Sequence, residues 1–110
     1  MTAPLRMTRV ILFTPRIVKL TAFYVDVLGL ELRKGSAAEG WVEFDSLALH
    51  RGPSTPGSTT IAFGTREVGR AREELIRRGA RMGAVKDFGE LVLCDGHDPD
   101  GNRIQISNRA

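Results

Sequence analysis

Thr8-Arg9-Val10-Ile11-Leu12-Phe13-Thr14 opens the first patterned stretch of the chain, and Thr59-Thr60-Ile61-Ala62-Phe63-Gly64-Thr65 repeats its character 51 residues later. Each stretch runs into apolar residues at helical spacing that close on a glycine, Gly29 in the first case and Gly79 in the second. A strand and a helix recurring at one period mark an internal duplication. With 110 residues the chain is long enough for one core and too short for two, so the copies must share it.

Thr14-Pro15 has the form of a helix N-cap followed by proline at the first helical position. Ile17, Leu20, Tyr24, Val27 and Leu28 then recur at helical spacing, and Gly29 is suited to a left-handed C-cap. Leu30 to Lys34 reads as a strand, and Gly35 to Gly40 as a loop. Trp41 to Phe44 and Leu47 to His50 read as two strands joined by Asp45-Ser46. A two-residue connection makes Phe44 and Leu47 direct neighbours and fixes the register. Val42, Phe44, Leu47 and Leu49 then share an apolar face directed at the helix. Trp41, Glu43, Ala48 and His50 share the opposite face, and in the same register Ile11 and Phe13 point to that side. An aromatic, a carboxylate and an imidazole among apolar residues are the mixed lining of a ligand cavity.

The second copy follows the same order. Its helix begins after Thr65, with Val68, Ala71, Leu75 and Ile76 inward. Strands are expected at Ala84 to Asp87, Glu90 to Cys94 and Arg103 to Ser107, with a tight turn at Asp98-Pro99-Asp100-Gly101-Asn102. The half-repeats span 8–50 and 58–107, joined by a Gly/Pro/Ser linker at 51–57, and residues 1–7 are expected to be a disordered leader.

Composition narrows the classes. Apolar residues make up 42% and charged residues 26%, as in ordinary globular domains. No apolar run approaches a membrane span or a signal-peptide core, and one cysteine, Cys94, admits no intrachain disulfide. A cytoplasmic location is expected, with no membrane partner. The net charge of +3 comes from thirteen arginines, which raises nucleic acid as a partner. Against it, Glu73 with Arg77 and Glu74 with Arg78 stand four apart in the favourable order, and no aromatic residues interleave with the arginines. Cys94 reads as a packed thiol. The acids and imidazole of Asp95, His97, Asp98 and Asp100 resemble a metal loop by content, but the turn already accounts for Pro99, Gly101 and one aspartate.

Ala22-Phe23-Tyr24-Val25-Asp26-Val27-Leu28-Gly29-Leu30 at the first helix end, together with Asp98-Pro99-Asp100-Gly101-Asn102 before the last strand, resembles the vicinal oxygen chelate superfamily. This is the group of glyoxalases, bleomycin-resistance proteins and extradiol dioxygenases. The resemblance covers about Thr8 to Ser107. It implies an α+β fold in which two βαβββ units form a cupped mixed sheet around a cavity, and it implies a homodimer. Enzymatic members hold a divalent metal at four positions that correspond here to Arg9, Ala48, Thr60 and Gln105. Arginine donates no lone pair, alanine has no donor, and neutral hydroxyl and amide groups lack charge to hold the ion. No metal and no other cofactor is therefore expected.

The expectation is a metal-independent small-molecule-binding protein, its ligand met by Arg9, Ile11, Phe13, Trp41, Glu43, His50, Thr60 and Gln105. Arg9 can pair with Glu43 or meet an anionic ligand. The alternative is a lyase, isomerase or oxygenase of the glyoxalase and dioxygenase type, either metal-free, with Glu43 or His50 as general base and Arg9 stabilising an oxyanion, or metal-dependent through unusual ligands such as His50 and Glu43. A third possibility is an interaction module whose cup is filled by its own side chains.

Overall fold

The fold follows from how two amphipathic strand–helix units bury their apolar sides. The structure, a computed structural model, describes residues 9–54 and 59–109. The expected leader and residues 55–57 of the expected linker lie outside the described residues.

In the first half, β1 (Val10–Thr14) is followed by α1 (Ile17–Ala22), which continues as a π-helical turn (Phe23–Val27). Then come β2 (Lys34–Ser36), a 3₁₀ turn (Ala37–Glu39), β3 (Trp41–Glu43) and β4 (Leu47–Arg51). These strands form a sheet in the order β1-β4-β3-β2. The second half comprises β5 (Thr60–Gly64), α2 (Val68–Arg77), β6 (Arg81–Met82), β7 (Lys86–Asp87), β8 (Val92–His97) and β9 (Arg103–Ser107). Its sheet has the order β5-β9-β8-β6, with β7 also paired to β8. In both halves the first strand runs parallel to the last and lies at a sheet edge. The two βαβββ units of a mixed α+β fold are thus present. In the second, the strand after the helix is split into β6 and β7, which pair with opposite ends of β8.

The hairpin register is the one that the two-residue turn dictates. Trp41 faces His50, Val42 faces Leu49 and Glu43 faces Ala48, while the Phe44 amide donates to the Leu47 carbonyl at 2.8 Å. Val42, Phe44, Leu47 and Leu49 are buried with Leu12, Ile17, Leu20 and Tyr24, and the core continues through Val68, Leu75, Cys94, Ile104 and Ile106.

Several boundaries differ from the sequence reading. Thr14 is no helix cap: it ends β1 opposite Arg51, and its Oγ1 accepts from the Arg16 amide at 3.0 Å, so α1 starts only at Ile17. Thr65 does the same for the Glu67 amide at 3.2 Å, and α2 starts at Val68. Hydroxyls that bond two residues on make a turn in place of a cap, and the duplication preserves this device at an offset of 51. The ladder on β3 reaches Lys34, Gly35 and Ser36, so β2 starts four residues later than expected and takes up the front of the expected loop. Gly35, at φ +80, passes so close to Trp41 that a Cβ there would overlap its carbonyl oxygen. Val92–His97 extends past Cys94 to close the ladder on Arg103. Ile76, expected inward, is 40% exposed, because the core side of α2 is Val68 and Leu75. Glu73 makes no ion pair among the described residues, whereas Glu74 pairs with both Arg77 and Arg78.

Candidate functional site

Alternation along the strands places Arg9, Ile11, Phe13, Trp41, Glu43 and His50 on the side of the first sheet turned away from the core. Phe13 sits opposite His50, with ring centroids 5.9 Å apart in an edge-to-face arrangement, and lies across Gly52, where a Cβ would come within 3.0 Å of its ring. Trp41 occupies the other side of His50 and is half-buried. Arg9 Nε is 3.7 Å from Glu43 Oε1. Ile11 and Phe13 stay 41% and 53% exposed, and so give this face of the sheet an apolar surface open to solvent.

The remaining two expected residues lie on the second sheet. Gln105 Nε2 donates weakly to Asp95 Oδ1 at 3.4 Å. Thr60 is on the edge strand β5 and lines a cavity of about 620 Å³ between the halves, whose apolar wall includes Leu30, Phe44, Leu47, Ile61 and Phe63. No hydrogen bond or ion pair among the described residues links Thr60 or Gln105 to the group on the first sheet. At the four positions that the resemblance assigns to a metal, Ala48 is fully buried and Arg9 faces Glu43. The donor set does not fit a divalent ion. Among the described residues no group of three or more His, Cys, Asp or Glu side chains is placed to hold one.

The turn rich in aspartate does a different job. Asp98 Oδ1 accepts from the amides of Asp100 and Asn102, both at 2.9 Å. Its Oδ2 accepts from Asn102 Nδ2 at 2.8 Å and from the Tyr24 hydroxyl at 2.9 Å. Beside it, Arg16 donates to Asp100 Oδ1 through Nε at 3.1 Å and to the Pro99 carbonyl through Nη2 at 3.2 Å. Burial and then the Asp98 charge push the Tyr24 phenol far above its ordinary range, so it stays a donor. This network fastens the helix of the first half to the last turn of the second. The two segments were legible as motifs, but only their distance of 74 residues closed in space shows that they bond each other. Cys94 is buried and its thiol is pushed up by that burial, as an inert packed thiol should be.

Two parallel-edged sheets, each carrying one helix, define the glyoxalase/bleomycin-resistance/dioxygenase fold, and this chain has it. It is similar in structure to TnmS3, an antibiotic-binding protein from Streptomyces sp. CB03234, with TM-score 0.77 and 20% identity over 96% of this chain and 97% of the other. It is similar also to a glyoxalase/bleomycin resistance protein/dioxygenase from Nocardioides, with TM-score 0.75 and 18% identity over 97% of this chain and 85% of the other. The fosfomycin resistance protein FosX from Listeria monocytogenes, complexed with Mn(II) and 1S,2S-dihydroxypropylphosphonic acid, gives TM-score 0.75 and 18% identity over 100% and 93%. No protein-family model and no curated protein matches the sequence. Among the described residues no helix is long and apolar enough to cross a membrane.

Proposed function

We propose that this chain is a metal-independent small-molecule-binding protein whose ligand lies on the open side of the first sheet. The observation that carries the reading is the exposed Phe13 ring, braced edge-on by His50, with Ile11 on the same strand face and Trp41 on the far side of His50. Such a surface suits a flat aromatic or amphipathic compound, with the Arg9–Glu43 pair marking its polar end. Antibiotic binding by TnmS3 supports the assignment by likeness of fold. We favour binding over catalysis because Glu43 is held by Arg9 and His50 is packed against Phe13.

We propose in addition that a second copy covers this face and brings Thr60 and Gln105 of one chain towards Arg9, Trp41 and His50 of the other. The radius of gyration of 14.9 Å supports it, being larger than the roughly 13 Å of a compact chain of this size. We place the protein in the cytoplasm, with no nucleic-acid partner. Trp41 is the sole tryptophan, so its emission reports the site directly. Titration with a panel of aromatic antibiotics and amphipathic aromatic acids should quench or shift it, and Phe13→Ala should weaken binding about tenfold. Compounds that bind by calorimetry without moving Trp41 emission, or a panel with no binder, would overturn the assignment.

A further inference from the structure

The second sheet carries a feature that the duplication does not explain. In its register Arg81 faces His97 across β6 and β8, and His97 faces Arg103 across β8 and β9. Residues directly opposite share a face, so the three basic side chains form one transverse row. Arg81 and Arg103 thus flank His97 with two permanent positive charges, whose mutual repulsion is relieved only where a counter-charge is supplied. Here none is: among the described residues no ion pair or side-chain hydrogen bond engages Arg81, His97 or Arg103. By contrast, Arg9, Arg16, Arg33, Arg70, Arg77 and Arg78 each meet a carboxylate.

The row ends at a cavity of about 520 Å³, lined by Arg81 and His97, by Lys19 reaching from α1, and by Phe23 and Ala80. Lys19 too is without an ion-pair partner among the described residues. The one acid in the lining is Asp98, both of whose oxygens are occupied by four hydrogen bonds within the Tyr24–Asn102 network. It stabilises the turn and offers no acceptor to the cations. A guanidinium fork, an ammonium and an imidazole thus line an opening that also meets an aromatic ring and a methyl group, and Arg103 stands behind His97 on the next strand.

We propose that this cavity binds a small organic ligand through an oxyanion, phosphate or carboxylate, held by Arg81, His97 and Lys19 with Arg103 behind them, and with its apolar part against Phe23. Guanidinium groups match both oxyanions in fork geometry, and the uncompensated row is stabilised when the anion arrives. Arg103 stands opposite Thr60, so the row shares its sheet face with residues that the proposed second copy would cover, and reporters on the two sheets keep the two readings distinguishable.

The test uses the two histidines, His50 and His97, as reporters on the two sheets. Imidazole proton resonances of the full chain are followed at low ionic strength during titration with phenyl phosphate, benzoate and inorganic phosphate. The expected result is saturable movement of the His97 resonance with His50 unmoved. Phenyl phosphate should bind more tightly than inorganic phosphate, in keeping with the Phe23 floor, and the ratio of phenyl phosphate to benzoate identifies the preferred head group. Arg81→Gln should weaken binding about fivefold or more and Lys19→Gln less, and added salt should weaken it further. An unmoved His97, equal movement of both histidines, or Arg81→Gln without effect would overturn the proposal. So would a single-stranded oligonucleotide that displaces phenyl phosphate at far lower concentration, since the row would then serve a polymer.

Discussion

Tyr24→Phe isolates one of the bonds that tie the two halves together. The phenol is fully buried and its hydroxyl donates at 2.9 Å to a carboxylate oxygen, so the substitution deletes one charge-assisted hydrogen bond and leaves the ring in place. Bonds of this kind contribute about 1.5–3 kcal/mol. Asp98 keeps its other three donors, which argues for the middle of that range, about 2 kcal/mol. A domain of this length unfolds with an entropy of roughly 230 cal/mol/K, so the melting temperature should fall by about 9 °C at fixed protein concentration. The pH dependence supplies a second readout. The native phenol cannot ionise near its ordinary value, whereas the unfolded one does at about 10. Above that pH the native state binds one proton more than the unfolded state, so the wild type loses about 1.4 kcal/mol per pH unit from this group alone. Below it the full contribution is present. Tyr24→Phe should remove that component of the alkaline decline. Calorimetric melts of both proteins between neutral pH and pH about 11 decide the matter. A Tyr24→Phe protein that melts within about 1 °C of wild type and keeps the same alkaline slope would refute the reasoning.

Arg16→Met leaves the wholly buried Asp100 carboxylate without its cation and should cost about 2 kcal/mol by denaturant titration, less than for a fully buried pair because half of Arg16 is in solvent. Gly35→Ala combines a φ of +80 with overlap on Trp41, so a loss above about 1–2 kcal/mol is expected, together with altered Trp41 emission. Cys94 should react with a thiol reagent only at the rate of unfolding, and labelling of the native protein at the rate of a free thiol would contradict its burial and its raised pKa.

The contrast between what was legible and what was not has one physical cause. Period-2 and period-3.6 patterns report burial, so the residues that share the core face, Val42, Phe44, Leu47 and Leu49 with Ile17, Leu20 and Tyr24, could be read directly, and the turn at Asp45-Ser46 fixed their register. Boundaries that depend on hydrogen-bond competition could not. Thr14 and Thr65 have the chemistry of a cap and of a turn alike, and the choice falls to the turn because β1 and β5 still hold those residues in or beside their ladders. The sites obey the same division. The open aromatic face of the first sheet came from strand alternation within one hairpin. The basic row needed the pairing of three strands whose members, Arg81, His97 and Arg103, carry no periodic signal. Net charge counted the arginines without distinguishing those that Glu67 and Glu74 neutralise from Arg81 and Arg103, which meet no carboxylate among the described residues. For a ligand the distribution matters and the sum does not: a charge of +3 is unremarkable for 110 residues, but Lys19, Arg81 and His97 on one cavity, with Arg103 behind them and the single acid already bonded, make a local field that an anion would find.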